Sequence, residues 1–315
     1  MHEERKPGKV ISYLLQLKVV AHILAISKRI VIPGFDKLPL YSVASFFISG
    51  LRKSSITTRA SSMAFHFFLA LFPAIIFFFT LIPYIPIADF QDQLMELLGS
   101  ILPENVFDAS RQTIEGIVND KRGGLLSVGF LSMLYFATNG INSMIHNFNQ
   151  TYHAVETRNF IQQRLVSIVL MLIMSTLILA AILIIILGKQ VLQLMVDESW
   201  MKEQWTILLF EGGKWLIMIA LYFFTISFIY FLGPAKRSRW RFISAGSTAA
   251  TFFSILTSLG FAFFVNNFGQ YNKLYGSLGT IIVMMLWIYF NSLILLIGFE
   301  LNASIKSAGT KPTLQ

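Results

Sequence analysis

The amino-acid sequence predicts an all-α, polytopic membrane protein built as a bundle of six transmembrane helices. Hydrophobic residues make up 55% of the 315 residues and charged residues only 13%, whereas a soluble domain carries roughly a quarter charged residues. The mean hydropathy is +0.65. Six separate apolar runs also reach the length of about 20 residues that a helix needs to cross a membrane. These runs are Ser62–Tyr84, Leu125–Ile145, Leu165–Leu187, Trp215–Leu232, Phe242–Val265 and Leu278–Ser304.

The N-terminal 56 residues precede the first span and are expected to form two amphipathic helices in the cytoplasmic interface. The first, Val10–Val31, is apolar, but Lys18 and His22 interrupt its centre. It is alternatively a seventh span, which would move the basic residues before position 10 to the outside. We interpret it as interfacial, with Pro39–Lys53 as the second helix of this kind. The transmembrane domain then covers residues 57–305, and residues 306–315 form a cytoplasmic tail.

The spans differ in how clearly the sequence marks them. Pro73 interrupts the first span, where it removes a backbone hydrogen bond and predicts a kink or a hinge. The second span is the weakest because polar residues lie inside it. The sixth begins with the uncharged run Leu278–Phe299, which covers roughly 33 Å as a helix, enough for a hydrocarbon core of about 30 Å. Between the first two spans, residues 88–120 carry two amphipathic patterns separated by a proline, which predicts a helical hairpin on the outer surface.

The distribution of basic residues predicts the orientation of the bundle. The segments 1–61, 146–164, 233–241 and 305–315 hold 18 of the 25 Lys and Arg residues, and the opposite loops hold seven. The positive-inside rule then places both termini in the cytoplasm. The net charge of +9 indicates attraction of the inner face to anionic lipid head groups. No nucleic acid partner is expected, because the basic residues are spread beside helix ends.

A polar stripe on the second span is the first candidate site. Asn139, Asn142, His146 and Gln150 follow one another in steps of three and four, so they share one helix face. We expect this face to point into the bundle, because lipid does not accept it. It is either the lining of a polar path or a set of interhelical hydrogen bonds, which contribute roughly 0.6–2 kcal/mol per contact in membranes.

Ionisable residues near the predicted inner boundary form the second candidate site. Glu300 follows the uncharged run of the sixth span, at the level where Arg59 enters the first span and Arg164 enters the third. His66 lies further along the first span. A charge in this position needs a partner charge, protein or water around it. The sequence leaves open whether a Glu–Arg pair here is a structural clamp or part of a gate or head-group site.

The fifth span carries small residues at a spacing of four, at Gly246, Ala250, Ser254 and Ser258. This pattern lets two helix backbones approach closely. It predicts either packing within the chain or the interface of a homo-oligomer.

Motifs of known enzyme and metal sites are absent from the sequence. The chain has no cysteine, and its five histidines form neither an HxxxH nor an HExxH pair. No phosphate-binding glycine loop or GxSxG motif occurs. We therefore expect a protein that is not an enzyme and that holds no metal and no cofactor.

Three blocks of the chain resemble the YihY/BrkB family of bacterial inner-membrane proteins, once labelled ribonuclease BN-like. They are TTRASSMAFHFFLALFPAIIFFFTLI (residues 57–82), residues 122–165 with ATNGINSMIHNFNQTYHAVETRNF, and residues 233–303 with NKLYGSLGTIIVMMLWIYFNSLILLIGFELNA. The resemblance implies six transmembrane helices and a role in envelope integrity, with lipid export among the associations of the family. Carried over by position, it implies importance for Pro73, Asn139, Tyr271, Asn272, Tyr275, Gly276, Glu300 and Asn302, while His66 departs from the aromatic residue that many members carry.

Three functions from different classes remain open. The first is an inner-membrane envelope protein that transports or flips a lipid or another amphipathic solute through a polar intramembrane site. The second is an envelope-integrity scaffold that does not transport. The third is a membrane enzyme, for which the ribonuclease label lacks a metal-ligand cluster to activate water.

The charge distribution generates a testable topology. With 18 of 25 basic residues in the predicted inner segments, a reporter fused at position 110 should be periplasmic and one fused to the C-terminus cytoplasmic. Alkaline phosphatase and green fluorescent protein fusions measure the two locations. A C-terminus on the outside would overturn the six-span arrangement.

Overall fold

The computed structural model confirms a helical protein with six candidate membrane spans. It describes residues 26–31, 34–53, 55–84, 95, 116, 121–150, 158–197, 203–235, 242–267 and 277–310. Within these ranges the chain forms α1 (Leu40–Lys53), α2 (Ile56–Leu81), α3 (Gly123–Asn149), α4 (Phe160–Asp197), α5 (Glu203–Leu232), α6 (Ala245–Asn267) and α7 (Ser277–Thr310). A short 3-10 helix, Ile82–Tyr84, follows α2.

Helices α2 to α7 are the six that are long and apolar enough to cross a membrane, and each overlaps one predicted span. Several begin or end beyond the apolar run that predicted them. Helix α2, for example, starts at Ile56 rather than Ser62, because a helix continues through the polar boundary as long as its backbone hydrogen bonds are made. The helix also continues through Pro73 without a break.

The six spans form a closed ring in chain order. Each of α2 to α6 packs against the next helix in the sequence, and α7 closes the ring by packing against α2. Helix α1 lies outside the ring and packs on α7. Phe35 and Val43, from the segment that leads into and forms α1, are buried with Ile305 of α7. This contact fixes α1 at one end of the bundle, which we call the α1 end; the charge distribution predicts that it is cytoplasmic.

Burial is concentrated at the α1 end. Among the described side chains, the buried residues of α2, α4 and α6 lie mainly in the first half of each helix, and those of α3, α5 and α7 mainly in the second half. The main hydrophobic core takes residues from all six spans and lies at this level. Towards the opposite end most described side chains are exposed or half-buried, as expected for helix faces that border lipid.

Aromatic side chains hold three helices together in this core. Phe148 of α3 stacks on Phe299 of α7 with ring centroids 4.4 Å apart and the planes nearly parallel. Tyr230 of α5 packs edge-on against both rings and donates a hydrogen bond of 2.6 Å to the carbonyl oxygen of Leu295. The hydroxyl is thereby satisfied, as a buried polar group requires.

The small residues of α6 face α7. A methyl group on Gly246 would overlap the carbonyl oxygen of Gly298, and one on Gly298 would lie 2.8 Å from the Cβ of Ala250. Ser254 is also buried, and Trp287 of α7 donates to the hydroxyl of Ser258 at 3.3 Å. The spacing of four therefore serves close backbone contact within the chain at this face.

Several predicted features lie outside the described residues. They include most of Val10–Val31, nearly all of the outer hairpin at 88–120, and the loop that carries Tyr271, Asn272, Tyr275 and Gly276. Helix α1 occupies the place of the second predicted amphipathic helix, Pro39–Lys53. The interfacial position of this region, the hairpin and the direction of the termini stay predictions.

Two glycines on α6 test the close contact with α7. Gly246→Ala should destabilise the protein by about 1–3 kcal/mol, because its methyl group meets backbone that cannot move aside easily. Gly260→Ala on the same helix is the matched control, since nothing lies within 4 Å of its added carbon, and it should leave stability unchanged or raise it by up to about 1 kcal/mol through helix propensity. Thermal unfolding of the purified variants in detergent measures both. Equal melting temperatures for the two variants would contradict the contact.

Candidate functional site: a polar centre at the α1 end

Glu300 lies at the point where α7 meets α1 and α2. Its side chain is fully buried, with 0% of its surface exposed. A methyl group on Gly50 of α1 would overlap Oε1 of Glu300, so the carboxylate lies directly against the backbone of α1. Glycine at this position leaves room for the carboxylate group. The carboxylate predicted from the end of the uncharged run is therefore enclosed by protein rather than exposed to lipid.

Arg59 of α2 provides the positive charge beside this carboxylate. Its side chain is only 6% exposed, and it interacts electrostatically with Glu300. Its Nη2 also donates a hydrogen bond to the backbone carbonyl oxygen of Asn147 on α3. Opposite charges in a poorly solvated site attract more strongly than they do in water. Arg59 thus connects α2 to both α7 and α3, and we call Glu300, Arg59, Gly50 and Asn147 the polar centre.

Asn147 and Gly50 were missed by the sequence analysis. The side chain of Asn147 is buried and donates to the carbonyl oxygen of Ser143 at 2.8 Å on its own helix. Asn147 directly follows the predicted stripe residue His146. As a polar residue within a membrane span, it could have been recognised as a candidate from its type alone. For Gly50 the only signal in the sequence was a glycine within a predicted amphipathic helix. Its role depends on which residue of another helix faces it, and the sequence does not show that.

Arg164 belongs to a different contact. Its Nη1 donates to Oδ1 of Asn139 at 2.6 Å, and its guanidinium lies over the ring of Tyr135, 5.6 Å from the centroid. Arg164 and Asn139 are both half-buried. The sequence offered Arg59 and Arg164 as equal partners for Glu300, and the structure identifies Arg59 as the arginine of the polar centre.

The predicted direction of the polar stripe on α3 is wrong at one end. His146 and Gln150 are exposed and contact each other at 2.7 Å, and Asn139 and Asn142 are only half-buried. The face that enters the core instead carries Ile141, Met144 and Phe148, together with the small or hydrogen-bonded polar residues Ser143 and Asn147. The inward face is set by packing, since Phe148 stacks on Phe299 of α7 and helices in a membrane associate through van der Waals contacts and hydrogen bonds rather than through burial of apolar surface.

The remaining candidates are distributed over the bundle. Asn302, only 8% exposed, accepts a hydrogen bond from the backbone nitrogen of Gly246 at 2.8 Å and donates one to the hydroxyl of Ser244 at 2.8 Å. It therefore satisfies an orphan donor at the start of α6. His66 is half-buried and its Nδ1 lies 2.8 Å from the carbonyl oxygen of Ser62 on its own helix. The structure brings Glu300 and Arg59 together, and separately Arg164 and Asn139.

The polar centre can hold a buried charge and compensate it with a second one. It offers one carboxylate, one guanidinium and backbone carbonyl groups. In the described part of the chain, no three His, Cys, Asp or Glu residues lie close enough together to hold a metal ion. The chemistry available at this centre is thus charge pairing, hydrogen bonding and proton transfer at the Glu300 carboxylate.

Comparison with known proteins assigns the chain to a family. The family described as Virulence factor BrkB matches residues 47–314. The chain is 31% identical over 246 residues to the "Putative ribonuclease-like protein YfkH" of Bacillus subtilis, covering 78% of this chain and 88% of that protein. It is 24% identical over 277 residues to a "UPF0761 membrane protein" of Alteromonas mediterranea, covering 85% and 89% respectively. No solved structure matches. With six spans and a match over most of its length, the chain belongs to the BrkB family of multi-pass membrane proteins.

Proposed function

We propose that this protein transports or flips a lipid or another amphipathic solute across the bacterial inner membrane, with the polar centre as its functional site. The observation that carries the proposal is the fully buried Glu300 carboxylate at the level where the six spans converge. Ionisable residues within membrane spans are costly, and they mark substrate and ion pathways in many membrane proteins.

The position of the polar centre supports transport over a purely structural role. A buried ion pair contributes little net stability, because desolvation of the two charges offsets their attraction. Well-packed apolar residues would close the α1 end as effectively. The two charged groups also lie on α2 and α7, the first and last helices of the ring. A change in their interaction would therefore strengthen or weaken the contact that closes the ring.

The shape of the bundle supports the same proposal. The buried side chains among the described residues are concentrated at the α1 end. Alternating access requires a site that is closed to one side of the membrane and can open to the other. Helix α1, which contacts the Glu300 carboxylate through Gly50, is an amphipathic element outside the ring whose displacement would uncover the site.

The proposal includes the cellular setting. We place the α1 end and both termini in the cytoplasm, where the basic segments face anionic lipid head groups. The proposal assigns no catalytic reaction, no cofactor and no nucleic acid partner to the chain. The ribonuclease-like name of the Bacillus subtilis relative is a statement about that protein.

Replacing the buried carboxylate tests the function directly. Glu300→Gln should still insert and fold, because Arg59 keeps its hydrogen bond to the carbonyl oxygen of Asn147, but its melting temperature should fall, because the buried arginine loses its counter-charge; translocation is therefore compared per amount of folded protein. Its rate of lipid translocation should fall about tenfold or more, since the charge at the site is lost. The assay uses liposomes of phosphatidylethanolamine and phosphatidylglycerol with a fluorescent phospholipid, with and without a pH gradient of either sign.

Two further variants make the result specific. Asp36→Asn removes a carboxylate outside the spans and keeps a residue type that tolerates the positive φ of 51° found there, so it should translocate normally. Gly50→Ala should reproduce the loss, because its methyl group displaces the Glu300 carboxylate. A folded, unchanged protein that moves no lipid under any of these gradients would refute the proposal. Full activity in Glu300→Gln would show that the polar centre is not the site of the proposed transport.

A further inference from the structure

An apolar groove runs along the membrane-spanning part of α5 and α6, away from the polar centre. Its volume is about 620 Å³, within the range of roughly 300–1,000 Å³ that is typical of ligand-binding clefts. The α5 side includes Leu216, Ala220 and Phe224, and the α6 side includes Thr248 and Leu259.

The two faces of α6 explain why the groove exists. Gly246 and Ala250 lie on the face that contacts α7. Residues 248, 252 and 256 lie on the opposite face, because two positions along a helix correspond to about 200° of rotation. The close contact with α7 draws α6 to one side, and the space towards α5 remains as a groove.

The apolar lining of the groove favours a hydrocarbon chain as its ligand. Nine of its eleven lining residues are apolar. The two threonine hydroxyls donate to carbonyl oxygens of their own helix, Thr248 to Ser244 at 3.0 Å and Thr251 to Ser247 at 2.8 Å. The groove therefore offers no donor in need of an acceptor, and a polar solute would lose its hydration there without replacement. Both helices are membrane spans, so the medium beside the groove is lipid.

The basic residues in the connection between α5 and α6 indicate which class of lipid the groove would bind. The connection that joins the α1 ends of α5 and α6 reads GPAKRSRWR (residues 233–241), with four basic residues and no acidic one. Clusters of four or more Lys and Arg residues beside a transmembrane helix are typical of binding to anionic head groups. This connection joins the same two helices that line the groove, and Thr248 lies in the first turn of α6.

We propose that the groove between α5 and α6 is a binding site for one acyl chain of an anionic phospholipid whose head group lies at the α1 end. The site is separate from the polar centre and does not depend on the proposed transport. A bound lipid chain fills the groove beside the direct contacts between α5 and α6.

Photo-crosslinking tests the site on the full-length protein in nanodiscs. The probe is phosphatidylglycerol with a diazirine on one acyl chain, present as a minor component in phosphatidylcholine. Mass spectrometry of the peptides should find labelling concentrated on residues 216–224 and 248–259. The same diazirine on phosphatidylcholine should label this groove about tenfold less. Excess unlabelled phosphatidylglycerol should abolish groove labelling in the unchanged protein.

Filling the groove provides the second test. Ala220→Trp should reduce groove labelling about tenfold, because the indole occupies the space of the chain. Ala180→Trp on α4 is the matched control, since Ala180 does not line the groove, and it should label as the unchanged protein does. Equal labelling by both lipids, labelling that excess unlabelled phosphatidylglycerol does not reduce, or full labelling of a folded Ala220→Trp variant would each overturn the proposal. If Ala220→Trp does not fold, the competition experiment decides.

Discussion

The packing of α7 over five residues, Gly298–Asn302, is the constraint on which the rest of the structure depends. Gly298 lies against α6 and the hydroxyl of Tyr230 on α5. The next residue, Phe299, stacks on Phe148 of α3. Glu300 meets α1 and the arginine of α2, and Asn302 holds the start of α6. One turn and a half of a single helix thus contacts five other helices, and it fixes the closed end of the ring.

Each of these contacts uses a different interaction, so we expect the segment to tolerate few substitutions. The contact at Gly298 needs the absence of a side chain, because the Tyr230 hydroxyl and Ala250 leave no room for a methyl group. The stack at Phe299 needs a flat apolar ring. Glu300 needs a carboxylate to match the guanidinium of Arg59. Asn302 needs a polar atom that can accept a hydrogen bond from the backbone amide of Gly246 at the start of α6. A rotation of α7 that improved one contact would break the others.

The six spans and the need of Glu300 for an arginine partner could be predicted from the sequence, but the choice between Arg59 and Arg164 and the rotation of each helix could not. Spans are long uncharged runs, and a lone carboxylate at the end of one needs a cation at the same depth. Rotation requires a periodic pattern, and spans that are apolar all round carry little of one. For α3 the polar stripe gave a misleading signal, because the inward face is the one whose side chains, Met144 and Phe148 among them, pack against the neighbouring helices. Gly50 could not be found, since its role depends on Glu300, 250 residues further along the chain.

The asymmetry of α6 connects the polar centre with the surrounding lipid. Its first residues are held on one side by Asn302, two positions after the buried carboxylate, while its other face borders the groove towards α5. Because an α-helix is stiff over two turns, a displacement of the end of α7 that moves Asn302 must also move the groove-lining face of α6. A lipid chain bound in the groove and a change of charge at the polar centre would therefore both act on α6, so the proposed lipid site and the polar centre would be coupled through this helix.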